Sequence, residues 1–317
     1  MKVLVTGGAG FIGSHFVDGL IARGDEVVVY DDLRTGHEFF LGNALASGRC
    51  ELKRGDVLDG ETLADALRGC DAVAHFAANA DVRGGLDRPT VDLEQNTLAT
   101  SCLLQAMRRM DVQRLVFSST GVIYGEPDVF PTPEDAPLPV QTSLYGASKI
   151  AAEGLISAYA HGFGMKAWIF RFVSILGPRY SHGHVFDFTR KLLADPTRIE
   201  VLGDGRQRKS YLHVEDCVRA ILTAMEHEPE PVEVLNLGHR DDCVVDESLA
   251  WICERMGVTP EVHHTGGERG WIGDSPRVDL CTRRMEALGW SARRGIRESV
   301  EDTVDYLLAH RRLFDAR

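Results

Sequence analysis

The sequence predicts an α/β protein: a doubly wound parallel sheet with a smaller α/β lobe after it. Three observations predict it. Short β-like runs alternate with helical periodicity through the first half of the 317 residues. A glycine-rich turn, Thr6-Gly7-Gly8-Ala9-Gly10-Phe11-Ile12-Gly13, joins the first run to the first helix. After Phe172 the β-signal thins and Arg becomes more frequent. Strands separated by helices imply right-handed crossovers, hence parallel pairing.

The elements follow in order. Val3–Val5 and Val27–Tyr30 flank a helix beginning near Gly10, and Glu51–Lys53 is the third run. Asp71–Phe76 and Arg114–Phe117 come next, separated by a long helical pattern over 91–110. A Pro-rich, turn-prone stretch from Glu126 to Pro139 interrupts the alternation. A helix over 144–161 and a strand over Lys166–Phe172 restore it. Residues 174–212 read as loops with one short helix, followed by a helix over 214–226 and a strand over Val232–Leu237. The expected division is therefore 1–173, with 213–238 returning to it, and a smaller lobe over 174–317. Ligands in such folds bind at the carboxyl edge of the sheet.

Composition narrows the classes of function. Lys and Arg total 35 against 47 Asp and Glu, a net charge of −12, which argues against a nucleic-acid partner. Seven scattered cysteines without a Cys-x-x-Cys pair read as free thiols in a reducing compartment. His263-His264 is the one adjacent His pair, and no Cys/His quartet has zinc-like spacing, so no metal is expected. No apolar run approaches the ~18–20 residues of a membrane span, and the chain enters its first strand at once, so a cytoplasmic protein is expected.

The glycine turn points to a dinucleotide. Gly7, Gly10 and Gly13 can serve the tight turn, the approach of backbone N–H groups to phosphates, and close helix–strand packing. A phosphate at a helix N-terminus also meets the positive end of the macrodipole. Asp31 ends the next strand eighteen residues beyond Gly13, where a carboxylate can accept from ribose hydroxyls and repel a 2′-phosphate. NAD is therefore favoured over NADP, with Arg34 read as a solvated loop residue. Asp56 follows the third strand and can meet the adenine amino group or simply hold a turn. Ala77, Ala78 and Asn79, ending the fourth strand, let the cofactor lie against backbone. Phe11, Ile12, Asp32 and Val57 complete the expected cofactor set.

Tyr145-Gly146-Ala147-Ser148-Lys149 puts a phenol and an ammonium at i and i+4, on one helix face. A free tyrosine titrates near ~10. Lys149 and a positive nicotinamide both favour the phenolate and should pull that value toward neutrality. A phenol loosened in this way can take the proton from a carbinol.

With these residues in view, the chain resembles the extended short-chain dehydrogenase/reductase family, in its nucleotide-sugar epimerase and dehydratase branch. The likeness runs from residue 1 to about 290 and rests on TGGAGFIG, the acidic end of strand two, HFAANADV, the hydroxyls before VIYG, YGASK and the GDG-x-Q stretch. It implies a Rossmann domain with a smaller α/β substrate-binding lobe. The catalytic residues it implies are Thr120, Tyr145 and Lys149, with Asn96 beginning the long helix beside the cofactor. It also implies a homodimer paired through 91–110 and 144–161. The substrate would be a nucleotide-diphosphate sugar, UDP-linked, met by Ser119, Thr120, Ser174, Val185, Phe186, Arg208, Lys209 and Arg269. Arg269 lies in the stretch Gly267-Glu268-Arg269-Gly270-Trp271-Ile272-Gly273-Asp274, and Arg is suited to phosphate by bidentate pairing.

A dehydratase of the branch carries an Asp-Glu pair after its catalytic Thr; here Gly121 and Val122 stand there. A keto sugar can then only take its hydride back on the other face, which is 4-epimerisation. Ser174 replaces the family's usual Asn, so a 4-epimerase of a uronic acid or another modified sugar is the first alternative. A 4,6-dehydratase and a non-catalytic NAD-binding regulator follow it. His182 and His184 read equally as sugar ligands or as loop structure.

Overall fold

The computed structural model describes residues 1–82, 85, 87–138, 140–270, 275 and 277–315. The chain divides by its internal contacts into two units, Met1–Gly125 with Pro137–Phe172 and Val218–Asn236, and Glu126–Ala136 with Val173–Cys217 and Leu237–Arg317.

The first unit is built on β1 (Lys2–Thr6), α1 (Phe11–Arg23), β2 (Glu26–Asp31), α2 (Gly42–Ala46), β3 (Cys50–Arg54), α3 (Gly60–Ala66), β4 (Ala72–His75), α4 (Ala99–Arg109), β5 (Arg114–Thr120), α5 (Leu144–Phe163) and β6 (Lys166–Phe172). Its sheet has seven strands in the order Val232–Leu237, β6, β5, β4, β1, β2, β3. The pairs β1–β2, β1–β4, β2–β3, β4–β5 and β5–β6 are parallel. The predicted doubly wound parallel sheet is thus what forms. The apolar runs of β1 and β2 explain their central place: Val3–Val5 and Val27–Tyr30 are buried, as strands covered on both faces must be. Leu63 and Leu67 from the α3 region, Leu103, Leu104 and Met107 of α4, and Ala152 and Ile156 of α5 share one core cluster with the sheet. On α1, a Cβ added at Gly19 would touch Val218 and Leu222 at 3.0 Å, so glycine lets these helices approach closely.

The chain starts in the middle of this sheet, winds outward to β3, and returns at β4 on the other side of β1. That reversal opens a crevice at the carboxyl ends of β1 and β4. Helix ends follow their sequence signals. Gly24 and Gly164 close α1 and α5 in the left-handed conformation, at φ 92° and 73°. Ser143 Oγ accepts from Gly146 N–H at 3.0 Å to open α5.

The long helix expected over 91–110 is divided. Residues Leu93–Leu98 form a π-helical turn, and regular α4 begins only at Ala99. Periodicity alone does not separate the two.

Among the described residues the second unit has three small sheets. Ser174–Leu176 pairs with Tyr211–His213 in parallel, and Arg198–Val201 with Glu261–His264. Arg208–Lys209 lies between Cys243–Val244 and Arg277–Val278. Helices His184–Ala194, Val245–Met256 and Ile296–Ala309 pack with them. The contact division assigns 126–136 and 213–217 to this unit, where the sequence reading kept them with the first. Backbone pairing accounts for the former: Thr132 N–H donates to Asp279 C=O, and Cys281 N–H to Thr132 C=O, both at 2.9 Å. Among the described residues, no helix is long and apolar enough to cross a membrane.

Candidate active site

The cofactor crevice begins with glycine geometry. Gly7 has φ +67°, and a Cβ there would stand 2.5 Å from the Ala77 nitrogen, so only glycine lets β1 turn against the end of β4. A Cβ on Gly13 would collide with the Gly7 carbonyl. A Cβ on Gly10 would meet, within 4 Å, only the Gly7 oxygen at 3.1 Å, so space beside the turn is left open. Among the described residues no side chain caps the N-terminus of α1, which begins at Phe11 and continues through Ile12. An open helix N-terminus beside an unfilled glycine turn fits a pyrophosphate.

Asp31 is buried at the end of β2. Its Oδ2 accepts from Ala9 N–H at 2.9 Å and its Oδ1 from Leu33 N–H at 2.8 Å. Burial, with a smaller push from Asp32, outweighs these bonds and raises its carboxyl above the usual range. Asp32 pairs with Arg34 at 3.0 Å, and Arg34 also reaches Asp56 at 3.4 Å. Arg34 is thus engaged by carboxylates on both sides. Asp56 holds a turn, accepting from Leu58 N–H at 2.9 Å, with Val57 buried beside it. Ala77 and Ala78 are half-buried at the end of β4. Asn79 N–H donates to Asn96 Oδ1 at 2.8 Å, which joins the end of β4 to the π-helical turn.

Thr120, Tyr145 and Lys149 come together. Thr120 ends β5, accepts from Val122 N–H at 3.1 Å, and shares a hydrogen bond with Tyr145. Lys149 is 2% exposed, donates from Nζ to Ser118 C=O at 2.9 Å, and lies 5.9 Å from the Tyr145 ring centre. Burial lowers the Lys149 ammonium to about 8, against the pull of Glu153 and Asp92. The Tyr145 phenol departs from expectation. The residue as a whole keeps some accessible surface, yet desolvation pushes the phenol up to about 12, with Thr120 lowering it and Asp92 raising it further. The protein's own groups therefore do not bring it toward neutrality. Added positive charge in the crevice is what would.

Ser119, expected to meet substrate, gives its hydroxyl to buried Glu153. Val185 and Phe186 are 0% and 1% exposed, and Phe186 packs on Phe314, so their side chains serve the core of the second unit. Arg208 is held by Asp242, Lys209 Nζ donates to Ser275 C=O, and Arg269 pairs with Glu126 at 2.7 Å. Ser174 is exposed at the head of its strand. His184 is structural: its Nε2 shares a 2.8 Å hydrogen bond with Ser248, its ring lies 4.8 Å from Tyr211, and burial lowers it to about 3. His182 stacks on Tyr180 at 5.9 Å. Residues 271–274, which follow Arg269 and were read with it, lie outside the described residues. Among the described residues no group of three or more His, Cys, Asp or Glu side chains could hold a metal.

Three neighbours escaped the sequence reading. Glu153 and Arg171 pair at 2.7 Å beneath the site, and Arg171 also donates to Tyr124 at 2.7 Å. His75, buried between Thr6 at 2.6 Å and Thr100 at 3.2 Å, is lowered to about 3 by burial and then by Lys149. The Glu153 signal was available: it stands four residues after Lys149, as Lys149 stands four after Tyr145.

Residues 3–238 match the sequence model of the NAD dependent epimerase/dehydratase family. The UDP-glucose 4-epimerase of Mycolicibacterium smegmatis is 32% identical over 323 residues, covering 96% of this chain and 98% of that one. A crystal structure of a UDP-galactose 4-epimerase superposes with a TM-score of 0.88 at 37% identity, covering 98% and 99% of the two chains. The dTDP-glucose 4,6-dehydratase DesIV of Streptomyces venezuelae, solved with NAD, superposes with a TM-score of 0.90 at 29% identity over 98% of each chain.

Proposed function

The chain belongs to the NAD dependent epimerase/dehydratase family, and from that premise we propose that it is a 4-epimerase of a UDP-hexose of the glucose/galactose type. One observation carries this reading: Thr120, Tyr145 and Lys149 meet at the end of β5, while Gly121 and Val122 follow Thr120 where a dehydratase needs acids. The 4-epimerases among its relatives support the same choice.

Gly7, Gly10 and the first turn of α1 would hold the NAD pyrophosphate, and Asp31 the ribose. When bound, NAD supplies the chemistry of accepting and returning a hydride at the sugar C4 carbon. Tyr145 Oη takes the proton of the C4 hydroxyl as that hydrogen leaves, and gives it back afterwards. Thr120 Oγ1 holds the same oxygen. Lys149 Nζ keeps a positive charge beside the phenol. With no carboxyl at 121 or 122 to protonate the C6 hydroxyl, the 4-keto sugar is reduced rather than dehydrated. The seven unpaired cysteines support a reducing compartment, and exposed Leu98, ending the π-helical turn ahead of α4, and Phe163, ending α5, support pairing of two copies.

Incubation with UDP-galactose and with UDP-galacturonate, followed by resolution of the products, tests the reading. Conversion of UDP-galactose to UDP-glucose is expected. Conversion of the uronate alone would favour the second reading, motivated by the small exposed Ser174. A keto-deoxy product would overturn both.

A further inference from the structure

We propose that Asp92 is a positioning residue for the Tyr145–Lys149 pair, acting through the amides it clamps and through its own charge. It stands at the head of the π-helical turn and is 1% exposed. Its Oδ1 accepts from Asn79 Nδ2 at 2.8 Å and from Asn96 Nδ2 at 3.3 Å. Asn96 Nδ2 also donates to Ser148 Oγ at 2.9 Å, and Ser148 Oγ donates to Tyr145 C=O at 2.8 Å. Thr97 Oγ1 donates to Ser148 C=O at 3.1 Å. A continuous set of hydrogen bonds thus runs from the end of β4, through Asp92, to the turn of α5 that carries Tyr145 and Lys149.

The charge of Asp92 differs in kind from that of its neighbour Glu153. Glu153 is matched by Arg171 in a two-pronged pair. Asp92 is met by amides, and its Oδ2 has no hydrogen-bond partner among the described residues. Glycine at 85 accommodates it, since a Cβ there would come within 2.7 Å of Oδ2. The charged and titratable groups that act on it are Asp81, from the segment after β4, and Lys149 of α5; it acts in turn on Tyr145. Burial raises its own carboxyl. A negative charge so placed keeps Lys149 protonated and holds back ionisation of Tyr145. Asp92 thereby sets the pH at which the phenol yields its proton, an inference that rests on Tyr145 being the group that moves it.

The test is Asp92→Asn in the NAD-bound protein. Phenolate absorbance in the near-ultraviolet is followed against pH, with the Tyr145→Phe protein subtracted, beside the pH profile of UDP-galactose turnover. Removing the negative charge should move the Tyr145 midpoint, and the acid limb of turnover with it, down by about one pH unit. An unmoved midpoint overturns the proposal, even if turnover falls, because a purely structural role changes rate without moving it. Should Asp92→Asn fail to fold, Asn79→Ala removes a donor from the carboxylate and favours its neutral form. A smaller downward shift is then expected, and no shift overturns the proposal. If the wild-type protein converts no UDP-sugar, the proposed function falls, while the absorbance titration still decides the part played by Asp92.

Discussion

The crevice of the first unit follows from residue spacing and backbone chemistry, whereas the cationic stretches of the second follow only from resemblance, and the two differ in what the sequence could say. In the first unit the expected residues act through backbone: glycines that must turn, an open helix end, a helix that sets Tyr145 and Lys149 one turn apart. In the second unit the expected residues are long cations, and each has already taken a neighbour: Asp242 for Arg208, Ser275 for Lys209, Glu126 for Arg269. A site made by chain geometry is legible in a motif. A site made by side-chain choice among partners depends on which partner the fold supplies.

Four substitutions or conditions break or sharpen that contrast. Tyr145→Phe should lower turnover by roughly 10²–10⁴-fold while bound NAD, measured by its release on denaturation, stays near wild-type; unchanged turnover would remove the phenol from the mechanism. Gly7→Ala forces a Cβ onto the Ala77 backbone at φ +67° and should cost about 1–3 kcal/mol in strain, read as a lower melting temperature and lost NAD.

The third is pH. Burial lowers Lys149 from 10.5 to about 8, so turnover should decline as pH rises through about 8. The same shift acts on stability with the opposite sign. Between these two values the unfolded chain keeps the Lys149 proton that the folded chain has lost, so this group favours folding increasingly as pH rises across that window. Denaturant midpoints at several alkaline pH values, compared with those of Lys149→Met, isolate it. The smallest effect belongs to the second unit. Arg208 is about half exposed and paired with Asp242, so solvent screening weakens the pair and Arg208→Ala should leave the melting temperature nearly unchanged. A KM for UDP-galactose raised several-fold would show that Arg208 leaves Asp242 for phosphate; an unchanged KM would assign it to structure.

The sheet was legible because burial on both faces leaves continuous apolar runs, as in Val27–Tyr30. The Tyr145–Lys149 pair was legible because helical spacing is fixed. The bond of Ser119 to Glu153 was not legible because a hydroxyl cluster does not say which member points to which neighbour, and Glu153 lies thirty-four residues away. The burial of Val185 and Phe186 was not legible because resemblance transfers positions, not side-chain directions. The raised Tyr145 phenol was missed because an i+4 ammonium is visible in sequence, whereas the desolvation that outweighs it arises only from packing.

The widened helical turn at Leu93–Leu98 carries a consequence for how this chain tolerates change in length. A π-helical turn accommodates a residue that ordinary helix pitch would not. Deleting one residue within it would restore regular winding with both flanks near their present orientation, whereas adding one residue to regular α4 would swing everything ahead of it by about 100° around the axis. Asp92 would then turn away from Asn79, while α4 downstream stayed packed. The irregularity works as slack: a shortening inside the widened turn is taken up there, whereas a change of length in the regular helix uncouples it from the strand end it serves.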